Sequence, residues 1–361
     1  MTNTSLVGVV MTAYDSGSFI AEALASLVSQ SNTEWQCVVV DDGSTDSTVD
    51  IVRGIAAQDD RITLVRQDHG GVSRARNAGL ATLSPKTCYV AFFDSDDRYL
   101  GDALESLVAV LDRRPDAVGA FGWAEYMDEH GEPLQLGAHP ALQRARRVTR
   151  GWRLGDVDPG EDSTFDDVAV AGAIWPSAVA LHRRSAITAA GGLDESFTRQ
   201  GDWELYVRMA RLGPFAVLDR QVVWYRRHGS NLTGDVLESC YQQERVRYKA
   251  WLSASNSPTQ RRVVARGARR IQLADIRRML RRLRADASSR QPWRALIDAV
   301  GLAMMGAALL RRGPARPSRR RVSWTAAGVH RGRRQRKVRI GVVGPQQAVE
   351  GRPPRDPVAR V

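Results

Sequence analysis

Apolar runs and amphipathic segments alternate along the first hundred residues. Leu6–Thr12 is a short continuous apolar run, which reads as a buried strand, and Phe19–Ser29 follows as a helix with Ile20, Leu24, Leu27 and Val28 on one face. Gln36–Val40 is a second strand ending in Asp41-Asp42-Gly43. Ser44 or Thr45 then caps a helix running through Ala57, with Asp46 and Asp50 in its first turns. Ile62–Arg66 reads as a strand, Val72–Leu83 as a helix and Tyr89–Phe93 as a fourth strand. Strands separated by helices of this length predict a parallel sheet with helices on both faces. Ligands of such sheets bind beyond the carboxyl ends of the strands. Three polar clusters (Thr12 to Tyr14, Asp41 to Gly43 and Asp94 to Asp97) fall there.

Further along, Ala117–Met127 reads as a strand with a turn at His130-Gly131-Glu132-Pro133. Residues 134–170 show little periodicity and read as a long loop or lid. A short strand is expected near Ala178–His182, a helix from Asp202 to Leu212, and strands at Phe215–Leu218 and Val222–Arg226. Gln260–Ala285 reads as a helix with Val264, Ile271, Ile276, Met279, Leu280 and Leu283 as its apolar stripe. Residues 295–310 form an apolar stretch broken by Asp298, and the tail after Arg311 is rich in Arg, Pro and Gly and expected to be disordered.

Composition changes the picture mainly through charge. The 361 residues are 43% hydrophobic and 25% charged, ordinary values for a globular chain of about two domains. The net charge of +12 divides unevenly: residues 1–235 carry −11, residues 236–310 carry +10 and residues 311–361 carry +13. A basic C-terminal third implies a polyanionic neighbour, membrane surface or nucleic acid. The three cysteines, Cys37, Cys88 and Cys240, are too scattered for a disulfide framework, so a reducing compartment is expected. The N-terminus shows no signal-peptide pattern.

The sharpest chemical feature is Phe93-Asp94-Ser95-Asp96-Asp97. Two carboxylates spaced by one residue after a buried strand can converge on a hard divalent cation that leaves positions open for phosphate oxygens. They can equally cap the helix or turn that follows, as can Asp102. Asp42 can accept hydrogen bonds from a nucleobase N–H or a ribose hydroxyl, or cap a helix. Tyr14 can stack on a base and Thr12 can hydrogen-bond it; otherwise they are a loop aromatic and a strand end. Gly70–Gly79 opens a helix on which Arg74 and Arg76 cannot share a face, so at most one faces a ligand phosphate. Gly201-Asp202 starts a helix, where a carboxylate is held ionised, as a general base requires, or simply caps. His228 is a surface side chain, a loop hydrogen-bonder or a metal ligand. No GxGxxG fingerprint and no GxxxxGK[ST] loop occurs, which weighs against a dehydrogenase or an NTPase.

Together Val9–Tyr14, Ser29-Gln30, Val39 to Asp46, Gly71 to Gly79 and Phe93 to Asp97 resemble, in order and spacing, the family-2 glycosyltransferases, inverting enzymes of the GT-A fold. The resemblance covers residues 5–125 strongly and 176–233 moderately. It implies an α/β fold, a Rossmann-like mostly parallel sheet with helices on both faces, here with a C-terminal helical extension. It divides the chain into a nucleotide-sugar-binding half (1–125), an acceptor half (126–235), a basic helical extension (236–310) and the tail (311–361). Thr12, Tyr14, Asp42, Arg76 and Asp94 would then bind the nucleotide-sugar, UDP being favoured. Asp94 and Asp96, with His228, would hold Mn2+ or Mg2+. Asp202 would be the base that deprotonates the acceptor hydroxyl, although Gly201 stands where the family has glutamate. The acceptor would be a glycan, lipid-linked or envelope polysaccharide, and the site cytoplasmic, with the basic helices on an anionic membrane face. Competing readings are an inactive nucleotide-sugar binder or scaffold, suggested by Gly201, and nucleic-acid binding through the tail. The tail has only Trp324 as an aromatic, which disfavours the last.

Overall fold

The computed structural model describes residues 6–134, 161–170, 174–229 and 236–271, with isolated short stretches at 147–148, 154–155 and 341–342 and single residues at 172, 231 and 273. Its strands are β1 (Val7–Ala13), β2 (Trp35–Asp41), β3 (Ile62–Arg66), β4 (Tyr89–Asp94), β5 (Arg98–Tyr99), β6 (Gly119–Met127), β7 (Arg147–Val148), β8 (Leu154–Gly155), β9 (Ala180–Arg183), β10 (Phe215–Arg226) and β11 (Gly341–Val342). Its helices are α1 (Ile20–Val28), α2 (Thr48–Ala56), α3 (Val72–Thr82), α4 (Ala103–Arg113), α5 (Phe165–Val168), α6 (Arg184–Ala190), α7 (Gly201–Met209) and α8 (Val236–Leu252). A further helical run covers 258–271.

Nine strands form one sheet in the order β11-β3-β2-β1-β4-β9-β6-β10-β5. The block β3-β2-β1-β4 is parallel, as the alternation of strand and helix predicts. Its central strands are buried on both faces, so they read as unbroken apolar runs rather than alternating ones. β9 then enters antiparallel between β4 and β6, and β10 pairs parallel to β6. Register aligns the carboxyl edge: Thr12 of β1 lies opposite both Val40 and Asp94, and Ala13 lies opposite Asp41. The three polar clusters are thereby brought side by side. β5 pairs antiparallel with β10 through Tyr99–Val223 and Arg98–Trp224, which delivers the Asp94–Asp97 turn to the end of β10.

Several boundaries differ from the sequence expectation. The second helix begins at Thr48, not at Ser44 or Thr45. Those two residues instead bind Asp15, whose N–H donates to Ser44 Oγ (2.9 Å) and whose carboxylate accepts the Thr45 N–H (2.8 Å). Asp46 performs the capping, accepting the N–H and hydroxyl of Thr48. Val28 is 41% exposed, outside the buried stripe of Ile20, Leu24 and Leu27. Phe215–Leu218 and Val222–Arg226 are one strand whose register slips around Gln221, a bulge rather than a turn. Asp102 makes no side-chain cap bond and pairs with Arg220 at 2.5 Å. Within 134–170, the described residues include a β7–β8 hairpin and the one-turn α5, closed by a Thr164–Asp167 capping box.

The helical run predicted from Gln260 starts two residues earlier, and Val263, Val264 and Ala268 are buried. Gly267 lies against Val170, so this part of the run packs on the sheet domain with no room for a side chain there. Ile276 to Leu283, the stretch 295–310 and the tail (apart from the two residues of β11) lie outside the described residues. Among the described residues no helix is long and apolar enough to cross a membrane.

Candidate active site

Five of the predicted residues meet in two groups at the carboxyl edge of the sheet, Arg76 with Asp94 and Asp202, and Asp96 with His228. Arg76 rises from α3 and is almost wholly buried, its side chain 5% exposed. It donates to Asp94 Oδ1 through Nη2 at 2.9 Å, and its Nη1 stands 3.5 Å from Asp202 Oδ2. Ser177 completes this group, accepting from Arg76 Nη2 (2.7 Å) and donating to Asp94 Oδ2 (3.1 Å). Burial drives the Asp94 carboxyl upward in pKa; Arg76 opposes this, and the nearby charges of Asp96 and Asp202 reinforce it. Arg74 folds back over Gly70, so a single arginine of the pair points into the site, as the helical spacing requires.

The second group is Asp96 and His228, whose Oδ2 and Nε2 are 2.8 Å apart. Between the two aspartates Ser95 donates to Ser16 Oγ (2.8 Å), while Asp94 and Asp96 take different partners. Asp97 is fully buried and accepts the Arg226 N–H at 3.0 Å. Burial, then Asp96 and Asp94, hold its carboxyl well above the usual range.

Asp202 lies in the first turn of α7, entered through Gln200 in the left-handed region (φ 62). Its Oδ1 accepts the Trp203 N–H (2.8 Å) and its side chain keeps 20% exposure, so the carboxylate is open to solvent. Gly201 has a packing explanation. A Cβ there would meet Ser73 Oγ at 2.3 Å, so a side chain such as the glutamate expected here has no room while the Ser73 hydroxyl stays in place. Glu204 does not substitute for it. Two residues on, it turns to the other side of α7 and pairs with Arg208 and Lys249.

At the opposite end of the edge, Asp42 is ringed by its own loop. It accepts from Gln67 Nε2 (2.6 Å) and from the N–H groups of Gly70 and Gly71 (2.8 Å each), and its Oδ2 lies 3.0 Å from His69 Nδ1. Gly71, at φ 90, adopts a conformation that other residues resist, and this lets its N–H reach the carboxylate. Tyr14 is 51% exposed beside this loop, its ring 4.5 Å from that of His69. Thr12, the last residue but one of β1, lies opposite Asp94.

The three expected metal ligands are not gathered into one cluster: Asp94 serves Arg76 and Ser177, while Asp96 and His228 face each other. Among the described residues no three His, Cys, Asp or Glu side chains form such a group. A carboxylate oxygen and an imidazole nitrogen directed at one another, both partly open (23% and 9% exposed), nevertheless fit a hard divalent ion that takes its other ligands from diphosphate and water. His69, Ser177 and Arg226 escaped the sequence reading; only Arg226 had a signal, its place two residues before His228. A cavity of about 140 Å3 between α7 and α8, lined by Glu204, Arg208, Arg211 and Lys249 among others, contains none of the predicted residues.

Comparison with known proteins places the chain in a family. The profile of Glycosyl transferase family 2 matches residues 8–161. An uncharacterized glycosyltransferase of Haemophilus influenzae is 32% identical over 238 residues, 64% of this chain and 68% of that one. The putative teichuronic acid biosynthesis glycosyltransferase TuaG of Bacillus subtilis is 35% identical over 141 residues, 38% of this chain. That match spans about half of TuaG, 55% of its length. The chain belongs to glycosyltransferase family 2.

The fold is correspondingly of the GT-A type. Staphylococcus aureus TarS 1–349, solved with UDP-GlcNAc, superposes with a TM-score of 0.55 at 18% identity, covering 73% of this chain and 72% of TarS 1–349. The mannosyltransferase PcManGT of Pyrobaculum calidifontis, solved with GDP-Man and Mn2+, gives 0.54 at 17% identity, covering 85% and 76%.

Proposed function

We propose that this protein is a metal-dependent, inverting glycosyltransferase that moves a sugar from a nucleotide-sugar, a UDP-sugar in our reading, to a hydroxyl of a glycan, lipid-linked or envelope-polysaccharide acceptor. The observation that carries the proposal is the Asp94–Arg76–Asp202 chain, which joins the edge of the donor half to the first turn of α7 through one buried guanidinium. The neighbours with UDP-GlcNAc and with GDP-Man and Mn2+ support a nucleotide-sugar donor. TuaG, by its name, supports an envelope-polysaccharide acceptor.

Tyr14 offers a ring to the nucleobase, and Thr12 and Asp42 offer acceptors to the nucleoside. A base that reaches Asp42 displaces His69, whose side chain is 62% exposed, rather than the buried Gln67 or the glycine backbone. Asp202 accepts the proton of the acceptor hydroxyl as that oxygen attacks the anomeric carbon, and Arg76 holds the carboxylate in place. Direct attack from the face opposite the diphosphate inverts the anomeric centre. Mn2+ or Mg2+ bound by Asp96 and His228, with Asp94 two residues away, would supply positive charge to the departing diphosphate.

The excess of Arg after residue 235 supports attachment to the anionic inner face of a membrane, where a lipid-linked acceptor is displayed. Flotation with anionic but not neutral vesicles, lost on deleting residues 260–361, is the expected result. The enzymatic reading is tested by a hydrolysis screen over nucleotide-sugars with Mn2+ or Mg2+, with and without chelator. Release of nucleoside diphosphate from one donor, stopped by chelator, is expected. Binding without turnover would select the inactive binder, and neither binding nor turnover would remove the nucleotide-sugar reading.

A further inference from the structure

Arg226 is among the largest side chains that are fully buried, at 1% exposure. Its groups reach three separate elements. Nε donates to the carbonyl of Asp96 at 2.9 Å, and the backbone N–H donates to Asp97 Oδ1 at 3.0 Å, both in the turn between β4 and β5. Nη1 donates to the carbonyls of Asp128 (3.3 Å) and Glu129 (3.1 Å), in the turn after β6. Nη2 donates to Glu22 Oε2 on α1, and the other oxygen of Glu22 accepts from Arg98 Nη1 at 2.7 Å.

His228 stands two residues beyond Arg226. The ring of Phe19 lies under both, 5.1 Å from the Arg226 guanidinium carbon and 4.7 Å from the His228 ring centroid. Asn231 ties the same segment from the other side. Its Oδ1 accepts the His228 N–H (2.6 Å) and its Nδ2 lies 3.1 Å from the Arg226 carbonyl and 3.3 Å from Asp96 Oδ2.

We propose that Arg226, anchored by Glu22, is the positioning residue that sets the separation between Asp96 and His228. Asp96 sits on a short turn and His228 beyond the last residue of β10, so neither is fixed by the sheet alone. The guanidinium is planar, with its donors in a rigid fork. It grips the Asp96 carbonyl with one edge and α1 with the other, while its own backbone leads directly to His228. The Asp96–His228 distance therefore follows the placement of this side chain, with Asn231 tying the two residues from the other side. Its target is the divalent ion assigned above to that pair, so the proposal rests on that reading. Groups that orient metal ligands without touching the ion typically change its affinity tenfold to a hundredfold when removed.

The test is Mn2+ binding to the full-length protein, read from the electron paramagnetic resonance signal of free Mn2+. Four proteins are compared: wild type, Asp96→Asn, Arg226→Lys and Glu22→Ala. Glu22 is 40% exposed, so its removal opens no cavity and is the milder change beside one at the buried arginine. Wild type binds, and Asp96→Asn loses the site. Glu22→Ala weakens Mn2+ binding by about tenfold and Arg226→Lys by about a hundredfold. Glu22→Ala lowers the thermal midpoint, because the buried guanidinium loses its carboxylate, but stays folded at the assay temperature, and its Mn2+ affinity is read on that folded protein. Wild-type Mn2+ affinity in folded Glu22→Ala and Arg226→Lys, with Asp96→Asn impaired, would overturn the positioning role and leave the ion site standing. Equal binding by wild type and Asp96→Asn would overturn the ion site itself.

Discussion

Ser73 occupies the space that a side chain on Gly201 would need: a Cβ at residue 201 would lie 2.3 Å from Ser73 Oγ. The hydroxyl is held there by donation to the Phe197 carbonyl at 2.8 Å. The glycine is thus matched to the Ser73 hydroxyl packed against it, and Asp202 keeps its place in the first turn of α7. Gly201→Ala is expected to destabilise the protein by about 1–3 kcal/mol through overpacking. Adding Ser73→Ala recovers most of that loss, because the next contact, with Ser73 Cβ, is at 3.5 Å. A urea-denaturation double-mutant cycle measures the coupling; additive losses would contradict the packing account.

Removing the guanidinium between Asp94 and Asp202 has a larger effect. Asp94 is already pushed upward in pKa by burial despite Arg76, so losing the cation leaves a desolvated carboxylate facing two others. Arg76→Met is expected to cost about 3–5 kcal/mol, the range for breaking a buried ion pair from one side. Denaturant unfolding at pH 7.5 checks this, and a loss below about 1 kcal/mol, the surface-pair range, would show that the pair contributes little.

His182 provides a pH test away from the chemistry. Its ring packs against Tyr206 (4.7 Å) and Phe92 and Phe215 (5.9 Å each), and both its nitrogens lack a hydrogen-bond partner among the described residues. Burial, then the charge of Arg76, pushes its pKa from 6.5 down to about 3. The unfolded chain therefore binds this proton at a higher pH than the folded one. Its contribution is complete above pH 6.5 and is lost progressively as pH falls toward 3. His182→Phe is expected to raise stability by about 1 kcal/mol at pH 7.5, because two unpaired polar atoms leave the interior. Its advantage over wild type should widen at pH 5. Stability curves that run parallel from pH 7.5 to 5 would contradict the neutral, buried histidine.

Much of this was readable before any coordinates. Each strand of the β3-β2-β1-β4 block is an apolar run closed by a polar cluster, and parallel pairing needs only that alternation to align Thr12, Asp41 and Asp94. The insertion of antiparallel β9 between β4 and β6 was not readable, because strand partners 59 to 94 residues apart leave no local pattern. Local competition hid the start of α2: Ser44 and Thr45 look like caps, but Asp15 from a distant loop claims them. Asp94, Asp96, Asp202 and His228 were visible by residue type and motif. Their division into an Asp94–Asp202 pair around Arg76 and an Asp96–His228 pair was not, since Ser95 turning toward Ser16 is a tertiary contact. Ser177 is a serine in an unremarkable stretch, and no sequence signal pointed to it.

In the proposed transferase Asp202 takes the acceptor proton, and the transfer rate of Asp202→Asn reads that role. With the donor found by the hydrolysis screen, turnover is expected to fall about 10²–10⁴-fold while donor affinity stays at the wild-type value. Wild-type turnover in the folded Asp202→Asn protein would contradict the claim.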